Sequence, residues 1–383
     1  MVQEWDVILV GGGIGGLSCA HFLRQVGFRV CVLERSAGLS EVGAGLQLAP
    51  NALAALREIH LLPDLLPLGW IMHRVDLVST RSGVLSSMNM KDKTVLAIHR
   101  AELQKLLARD LGLEVLRFGV GIESMHEEGD RVRVMLRDGV ILSARLLIGA
   151  DGLRSQVRTQ FFPPVTLRYS GTSSYRGIAA APGLLSDPHV GGEIWGPGCR
   201  FGYAHINSHD IYWYLTFDAP PHETRTPEAG KVHALQLMAA FPEYKAIVER
   251  TDLARIIQTD ISDIQPTTHW VQGRVALMGD AAHATTPNLG QGAAQALEDA
   301  WALGVALKKF GLEPIALQSY QAARQSKALW IVRQSWSFQS MCHIKRPWLQ
   351  TLRDLTVKHM PARIQQATLA RIDKPEVGLS EGS

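Results

Sequence analysis

Residues 7–34 constrain this chain more than any other stretch: an apolar run Val7-Ile8-Leu9-Val10, the loop Gly11-Gly12-Gly13-Ile14-Gly15-Gly16, a helical run to about Val26, a second apolar run, and then Glu34. A G-x-G-x-x-G spacing means little alone, but strand, glycine turn, helix, strand and acid in this order define a dinucleotide-binding βαβ unit. Each glycine meets a separate steric demand. Gly11 permits the tight turn, Gly13 lets backbone approach a pyrophosphate, and Gly16 lets the helix lie close to the strand. The helix opening at Ile14 then aims its N-terminal N–H groups and dipole at the phosphates. Glu34 stands 21 residues beyond Gly13, where a carboxylate accepts hydrogen bonds from both ribose hydroxyls and disfavours a 2′-phosphate. Arg35 follows as a further cofactor-binding candidate. The plain alternative is a glycine-rich turn beside a charged strand end. FAD or NAD is the first reading.

Two further segments agree with it. Gly279-Asp280-Ala281-Ala282-His283-Ala284-Thr285-Thr286-Pro287-Asn288-Leu289-Gly290-Gln291-Gly292 follows the β-like run Val275–Met278 and leads into a helix, expected from about Ala293, that carries Glu298-Asp299. Asp280 is thereby placed at the carboxyl end of a strand, where ligands bind in open α/β folds and a carboxylate can accept from a polyol. Bare N–H groups at Gly290 and Gly292, at a helix N-terminus, suit the negative charge of a reduced flavin near N1 and O2. Asp280 as a turn cap and His283 as a satisfied turn histidine are the bland readings. The third segment is Ile148-Gly149-Ala150-Asp151-Gly152-Leu153-Arg154-Ser155-Gln156-Val157-Arg158, an Asp-Gly motif after an apolar run.

Over roughly residues 5–335 these motifs resemble the flavoprotein aromatic hydroxylases, the single-component FAD monooxygenases that include salicylate, urate and 4-quinolone hydroxylases. The resemblance implies that Asp280 binds the flavin ribityl chain, that Pro287 and the following glycine turn lie against the isoalloxazine ring, and that the Asp151 segment serves FAD and reduced nicotinamide. It also implies that Arg100, at the start of a helix carrying Gln104, reaches the pyrophosphate or ribityl region; a solvent-exposed helix-start arginine is the alternative. Glu41-Val42-Gly43-Ala44-Gly45-Leu46-Gln47-Leu48 is similar to the family segment beside the flavin, which makes Gly45 and Leu46 candidates. Arg200 and Tyr212 match an Arg and a Tyr that several family members turn toward the reaction chamber. They are the catalytic candidates.

The implied reaction uses NADPH or NADH and O₂. Only one G-x-G-x-x-G unit follows a strand, so nicotinamide is expected to bind transiently, reduce the flavin and leave. The reduced flavin then forms a C4a-hydroperoxide that hydroxylates an electron-rich carbon of a small aromatic or heteroaromatic molecule, and the protein excludes water and orients the substrate. No Ser/His/Asp set or metal-ligand cluster competes for the catalytic role. An epoxidase, oxidase or halogenase on the same scaffold, or a non-catalytic FAD-binding protein, are the competing readings. The segments 193–217 and Arg333–Trp336 look similar to 4-quinolone 3-hydroxylases, over a short stretch.

Pieces of one cofactor site scattered along 383 residues require an interleaved architecture. The expected organisation is a Rossmann-like α/β FAD-binding domain (1–170 and 269–335), an antiparallel-sheet substrate domain (171–268) and a helical C-terminal tail (336–383). Within the sheet domain, strands are expected at Tyr175–Ala180, Glu193–Trp195, Arg200–Ile206 and Ile211–Phe217. Alternation in the last puts Tyr212, Tyr214 and Thr216 on one face and Trp213, Leu215 and Phe217 on the other, without saying which lines the cavity. Helices are expected at 51–62, 293–309, 315–343 and 347–371, with polar residues 373–383 disordered. Trp330, Trp336 and Trp348 make the tail aromatic; packing under the FAD domain, a dimer contact or a weak membrane-surface contact all fit. A net charge of +3 with mixed signs shows no nucleic-acid footprint, although Lys and Arg gather near 324–371. Cys19, Cys31, Cys199 and Cys342 lack C-x-x-C or metal spacing, and no apolar run is long enough to span a bilayer. A cytoplasmic enzyme, monomer or homodimer, is the expectation.

Overall fold

The computed structural model describes residues 2–39 and 44–378. Its first sheet runs Val271–Gln272, Val275–Leu277, Ile141–Gly149, Val2–Val10, Val30–Leu33, Leu116–Arg117, with Arg131–Leu136 attached antiparallel to Ile141–Gly149 and Ile122–Glu128 antiparallel in turn to Arg131–Leu136. The four strands that precede the sequence motifs are mutually parallel, and continuous apolar runs form them because both faces are covered. Their register decides where the motifs go. Val10 pairs with Gly149 and with Leu33, and Gly149 pairs with Leu277. Gly11, Glu34, Asp151 and Asp280 therefore all emerge within a few residues of one line at the carboxyl edge.

Two helices cover one face of this sheet, Ile14–Gln25 and Gly292–Phe310. A Cβ on Gly15 would lie 3.2 Å from Ala296 Cβ, and one on Gly304 would lie 3.0 Å from Phe22 Cβ. Contacts that advance together along both chains mean that the helices run parallel. Their N-termini thus open at the same end of the molecule, over the strand edge.

The second sheet has the order Ile256–Ile264, Leu167–Ala180, Asp210–Asp218, Cys199–His205, Val190–Gly196, Arg74–Ser79, Gly83–Asn89. Trp213, Leu215 and Phe217 bury their side chains with Ala234, Met238, Phe241, Ile247 and Val248 from the helices behind it. Tyr212 and Tyr214 face the other way, into a cluster with Met72, Ala97 and Ala44. A three-stranded sheet of Gly45–Leu48, Val95–His99 and Gly69–Met72 lies on that side.

Several expectations need correction. Strands Arg74–Ser79 and Gly83–Asn89 belong to the second sheet, although they precede residue 171 in the chain. The boundary expected at residue 335 falls inside helix Pro314–Cys342, which itself matches the helix expected at 315–343. The helix expected over 347–371 is two, Pro347–Lys358 and Ala362–Asp373, because Pro361 has no N–H to continue the first. That expected at 51–62 ends at Glu58, with His60 at φ 60°. Residues 374–376 are tied down by hydrogen bonds to the buried helices; 379–383, like Ser40–Gly43 of the flavin-side loop, lie outside the described residues.

Candidate active site

The glycine turn meets its steric demands as atoms. Gly11 has φ 110°, and a Cβ there would stand 2.4 Å from the Ala150 carbonyl oxygen; one on Gly16 would stand 1.9 Å from the Gly11 oxygen. Only glycine fits either place. Gly13 differs: nothing lies within 4 Å of an added Cβ, so bare backbone faces open space at the N-terminus of helix Ile14–Gln25. Gly11, Gly13, Glu34, Arg35 and Asp151 line one cavity of about 880 Å³. The Glu34 carboxylate accepts from the N–H groups of Gly12 (2.7 Å) and Ser36 (2.8 Å), which fixes it at the strand end. Gln104 donates to the Gly12 carbonyl at 2.9 Å, so its helix buttresses the turn.

Asp151 has a structural task of its own. It accepts from Ser155 Oγ (2.5 Å) and from the N–H groups of Gln156 (2.6 Å) and Val157 (3.1 Å), capping helix Gln156–Phe161. Burial lifts its carboxyl above the ordinary range against these hydrogen bonds. Asp280 follows Gly279, whose φ of 56° turns the chain sharply at the strand end. Its side chain meets solvent on the cleft floor, yet enclosing protein raises its carboxyl, opposed by His283 and Arg100. Arg100 itself is exposed. Pro287–Leu289 is a single 3₁₀ turn closed by Gly290 at φ 62°; nothing lies within 4 Å of a Cβ added at Gly290, and one at Gly292 would meet only Thr285 Cγ2, at 3.9 Å.

Behind this floor lies a charge network that the sequence does not announce. His283 bonds Asp299 at 2.6 Å, as does the Gly279 N–H at 2.8 Å. Arg324 donates to Asp299 (2.8 Å) and Glu298 (2.6 Å), and Lys327 to Glu298 (2.7 Å). Asn51 donates to the same Glu298 oxygen as Lys327, at 2.6 Å. Arg324, Lys327, Glu298 and Asp299 are all fully buried. His283 is thus a satisfied turn histidine that holds the Gly279 turn to helix Gly292–Phe310.

On the second sheet the register stacks two rows across strands. Glu193, Gly202 and Tyr214 form one, and Trp195, Arg200 and Thr216 the other. A Cβ on Gly202 would fall 2.2 Å from the Tyr214 ring, so glycine lets that ring cross the strand and donate its hydroxyl proton to Glu193. The other Glu193 oxygen accepts from Trp195 Nε1 (2.6 Å) and Arg200 (3.3 Å). Burial, and then the neighbouring carboxylate, push the Tyr214 phenol well above its usual pKa, so it stays protonated. Arg200 is buried to 1% exposure, and its second arm donates to Asn288 Oδ1 at 2.5 Å. Burial opposes its charge, while Glu193 holds its pKa above the ordinary arginine range. Tyr212 lies against Gly45, where a Cβ would fall 2.3 Å from its ring. Arg200 and Tyr212 therefore do sit on neighbouring strands of the face toward the first domain, but Arg200 is a bound strut between Glu193 and the 287–289 turn. Glu193 and Tyr214 went unread because their meeting depends on register and on Gly202. Among the described residues, no His, Cys, Asp and Glu group could hold a metal, and no helix is long and apolar enough to cross a membrane.

The open backbone at Gly13 and Gly290, the carboxylate at a strand end and the large cavity fit a dinucleotide with an extended pyrophosphate. Comparison with known proteins agrees. The model of the FAD binding domain family matches residues 4–335. The chain is 37% identical over 333 residues to aurachin C monooxygenase/isomerase of Stigmatella aurantiaca, covering 84% of this chain and 85% of that protein. It is 34% identical over 368 residues to 2-heptyl-3-hydroxy-4(1H)-quinolone synthase of Pseudomonas aeruginosa, covering 93% and 94%. The structure of Klebsiella pneumoniae HpxO complexed with FAD and uric acid superposes with a TM-score of 0.88 at 26% identity, over 97% of this chain and 96% of that one. The chain belongs to the FAD binding domain family and, within it, to the FAD-dependent monooxygenases of the aromatic hydroxylase kind.

Proposed function

We propose that this enzyme uses NADPH or NADH and O₂ to hydroxylate a small, planar heteroaromatic of the 4(1H)-quinolone type, whose ring N–H or O–H must be given up for the neighbouring carbon to become electron-rich. Two relatives support the substrate class: one is named for a 4(1H)-quinolone product, and the other was solved with uric acid, also a fused nitrogen heterocycle. The observation that carries the reading is the Glu193–Tyr214 pair, a proton-accepting position on the sheet face tied to the 287–289 turn through Arg200.

In this reading Glu34 and Arg35 hold the adenosine, and Gly11, Gly13, Ile14 and Gly16 shape the pyrophosphate turn that Gln104 buttresses. Arg100 and Asp280 take the ribityl region; Gly45, Leu46, Pro287, Gly290 and Gly292 border the flavin ring. Asp151 holds the adjoining Asp-Gly turn. FAD, when bound, passes electrons from the nicotinamide to O₂ and delivers one oxygen atom to the substrate. The protein's part is proton handling and placement. Tyr214 donates to Glu193, so its oxygen is left to accept from a substrate N–H or O–H. As that proton moves to Tyr214, the phenolic proton passes to Glu193, and the ring gains electron density without a free charge crossing the chamber. Arg200 steadies the Glu193 carboxylate and fixes Asn288, and Tyr212 walls the chamber at Gly45.

The test is consumption of NADPH and NADH by FAD-loaded protein with a 4(1H)-quinolone, salicylate, urate and kynurenine, scored with product mass. The quinolone should stimulate consumption and gain one oxygen atom. Glu193→Gln and Tyr214→Phe should keep FAD, yet lower product per NAD(P)H by roughly a hundredfold, within the range of a lost general base, with H₂O₂ released instead. Absence of stimulation by any compound overturns the reading; H₂O₂ without product from wild type makes the enzyme an oxidase.

A further inference from the structure

The C-terminal helices carry a surface that the proposed chemistry does not use. In helix Pro347–Lys358 the buried side is Gln350, Arg353, Asp354 and Val357, while Trp348 is 62% exposed, Leu352 57% and Leu355 50%. Spacings of four and three residues put those three on one helix face. Met360 and Ile364 extend the exposed apolar set past Pro361. The exposed charges along residues 344–372 all have one sign: Lys345, Arg346, Lys358, Arg363 and Arg371 are exposed, and of these Lys345 pairs with Asp218 at 2.6 Å. The one acid between residues 344 and 372, Asp354, is buried and paired with Arg353 and two serines. Chance mixing would have left some exposed carboxylates here, as on the rest of a chain with 39 basic and 36 acidic residues.

We infer that this face docks on an anionic lipid bilayer. A tryptophan and leucines on one helix side, flanked only by Lys and Arg, match what an interfacial helix needs: apolar side chains for the acyl boundary and cations for the headgroups. A second copy of this chain would have to bury Arg346, Lys358, Arg363 and Arg371 against the same four cations of its partner. The position adds a consequence. The Arg353 guanidinium lies 4.8 Å from the Trp195 ring centroid, and Trp195 donates to Glu193, so the docking helix stands two side chains from the substrate chamber. Docking puts the chamber beside the membrane, where a substrate bearing a hydrocarbon chain would partition. This last consequence rests on the proposed hydroxylase function; the docking does not.

The experiment is flotation of the FAD-loaded full chain with vesicles of phosphatidylcholine alone or with about a third phosphatidylglycerol. Wild type should float with the anionic vesicles and not with the neutral ones, and added salt should release it. Lys358→Glu with Arg363→Glu should weaken binding by at least roughly twentyfold, since each basic residue near such a surface contributes about fivefold. Trp348→Ser with Leu352→Ser should weaken it about tenfold or more. Both variants should keep FAD and the wild-type rate of NAD(P)H oxidation without vesicles. No flotation with anionic vesicles, or variants that float like wild type, overturns the inference. So does a wild-type dimer that the same substitutions convert to monomer without any flotation. Failure of the hydroxylase reading would show in the substrate panel and leave flotation unchanged.

Discussion

Asp280 and Asp299 are carboxylates 19 positions apart, one on each side of the Gly279 turn, and their surroundings differ sharply. Asp280 meets solvent and has no ion pair among the described residues; Asp299 is sealed behind it with His283, Arg324 and the Gly279 N–H. If Asp280 accepts hydrogen bonds from the ribityl chain, Asp280→Ala should weaken FAD binding by about 1.5–3 kcal/mol, the range for hydrogen bonds to charged groups. Fluorescence titration of apoprotein with FAD measures this, and an unchanged dissociation constant would remove Asp280 from the site. For Asp299, burial disfavours the charge, but His283 and Arg324 overcome it and hold the carboxyl at about 2. A pKa depressed below the unfolded value stabilises the fold above that unfolded value, near 3.9, and loses the contribution as pH falls toward about 2. Chemical denaturation between roughly pH 5 and 2 should show stability falling on this limb, and Asp299→Asn should flatten it.

Elements bring together residues that look unrelated in the sequence. The glycine turn was legible because its demands are local: a positive φ at Gly11 and a close helix at Gly16 need no distant partner to be inferred. The strand Asp210–Asp218 was legible as a period-two pattern, but its pattern could not say which face packs against helices and which turns toward the three-stranded sheet. That was decided by the apolar helices behind it, which claim Trp213, Leu215 and Phe217. Gly202 read as one glycine among 35 until register placed it beneath the Tyr214 ring. Gly202→Ala should therefore displace the ring, break the Tyr214–Glu193 hydrogen bond and uncouple NAD(P)H consumption from product while FAD stays bound. If coupling survives with an alanine there, the pair does not act in proton transfer.

At the scale of the whole molecule, the C-terminal segment closes over the buried charge network of Glu298, Arg324 and Lys327. Lys327 donates to the carbonyls of Ile372 (3.0 Å) and Lys374 (2.6 Å), Arg324 to that of Glu376 (3.0 Å), and the Glu376 N–H to Glu298 (3.1 Å). Deleting residues 374–383 removes the charge-assisted bonds at Lys374 and Glu376 around buried ions and leaves the one at Ile372. The cost should be about 2–4 kcal/mol, or a melting temperature roughly 2–5 °C lower, with FAD lost more readily. Thermal unfolding followed by flavin fluorescence reads both, and an unshifted transition would show that the tail only drapes the surface. The sequence by itself determined the dinucleotide fold, the cofactor class and the two-sheet plan, because strand–turn–helix units and alternating strands are written in residues close along the chain. It also showed Lys and Arg gathering over 324–371, but as a single cluster. Only the tertiary structure divided that cluster, burying Arg324 and Lys327 against Glu298 and Asp299 and leaving Lys358 and Arg363 on the surface. The physical reason is that a charge is buried only where opposite charge from elsewhere in the chain meets it, and such meetings are set by packing and register rather than by neighbours in sequence.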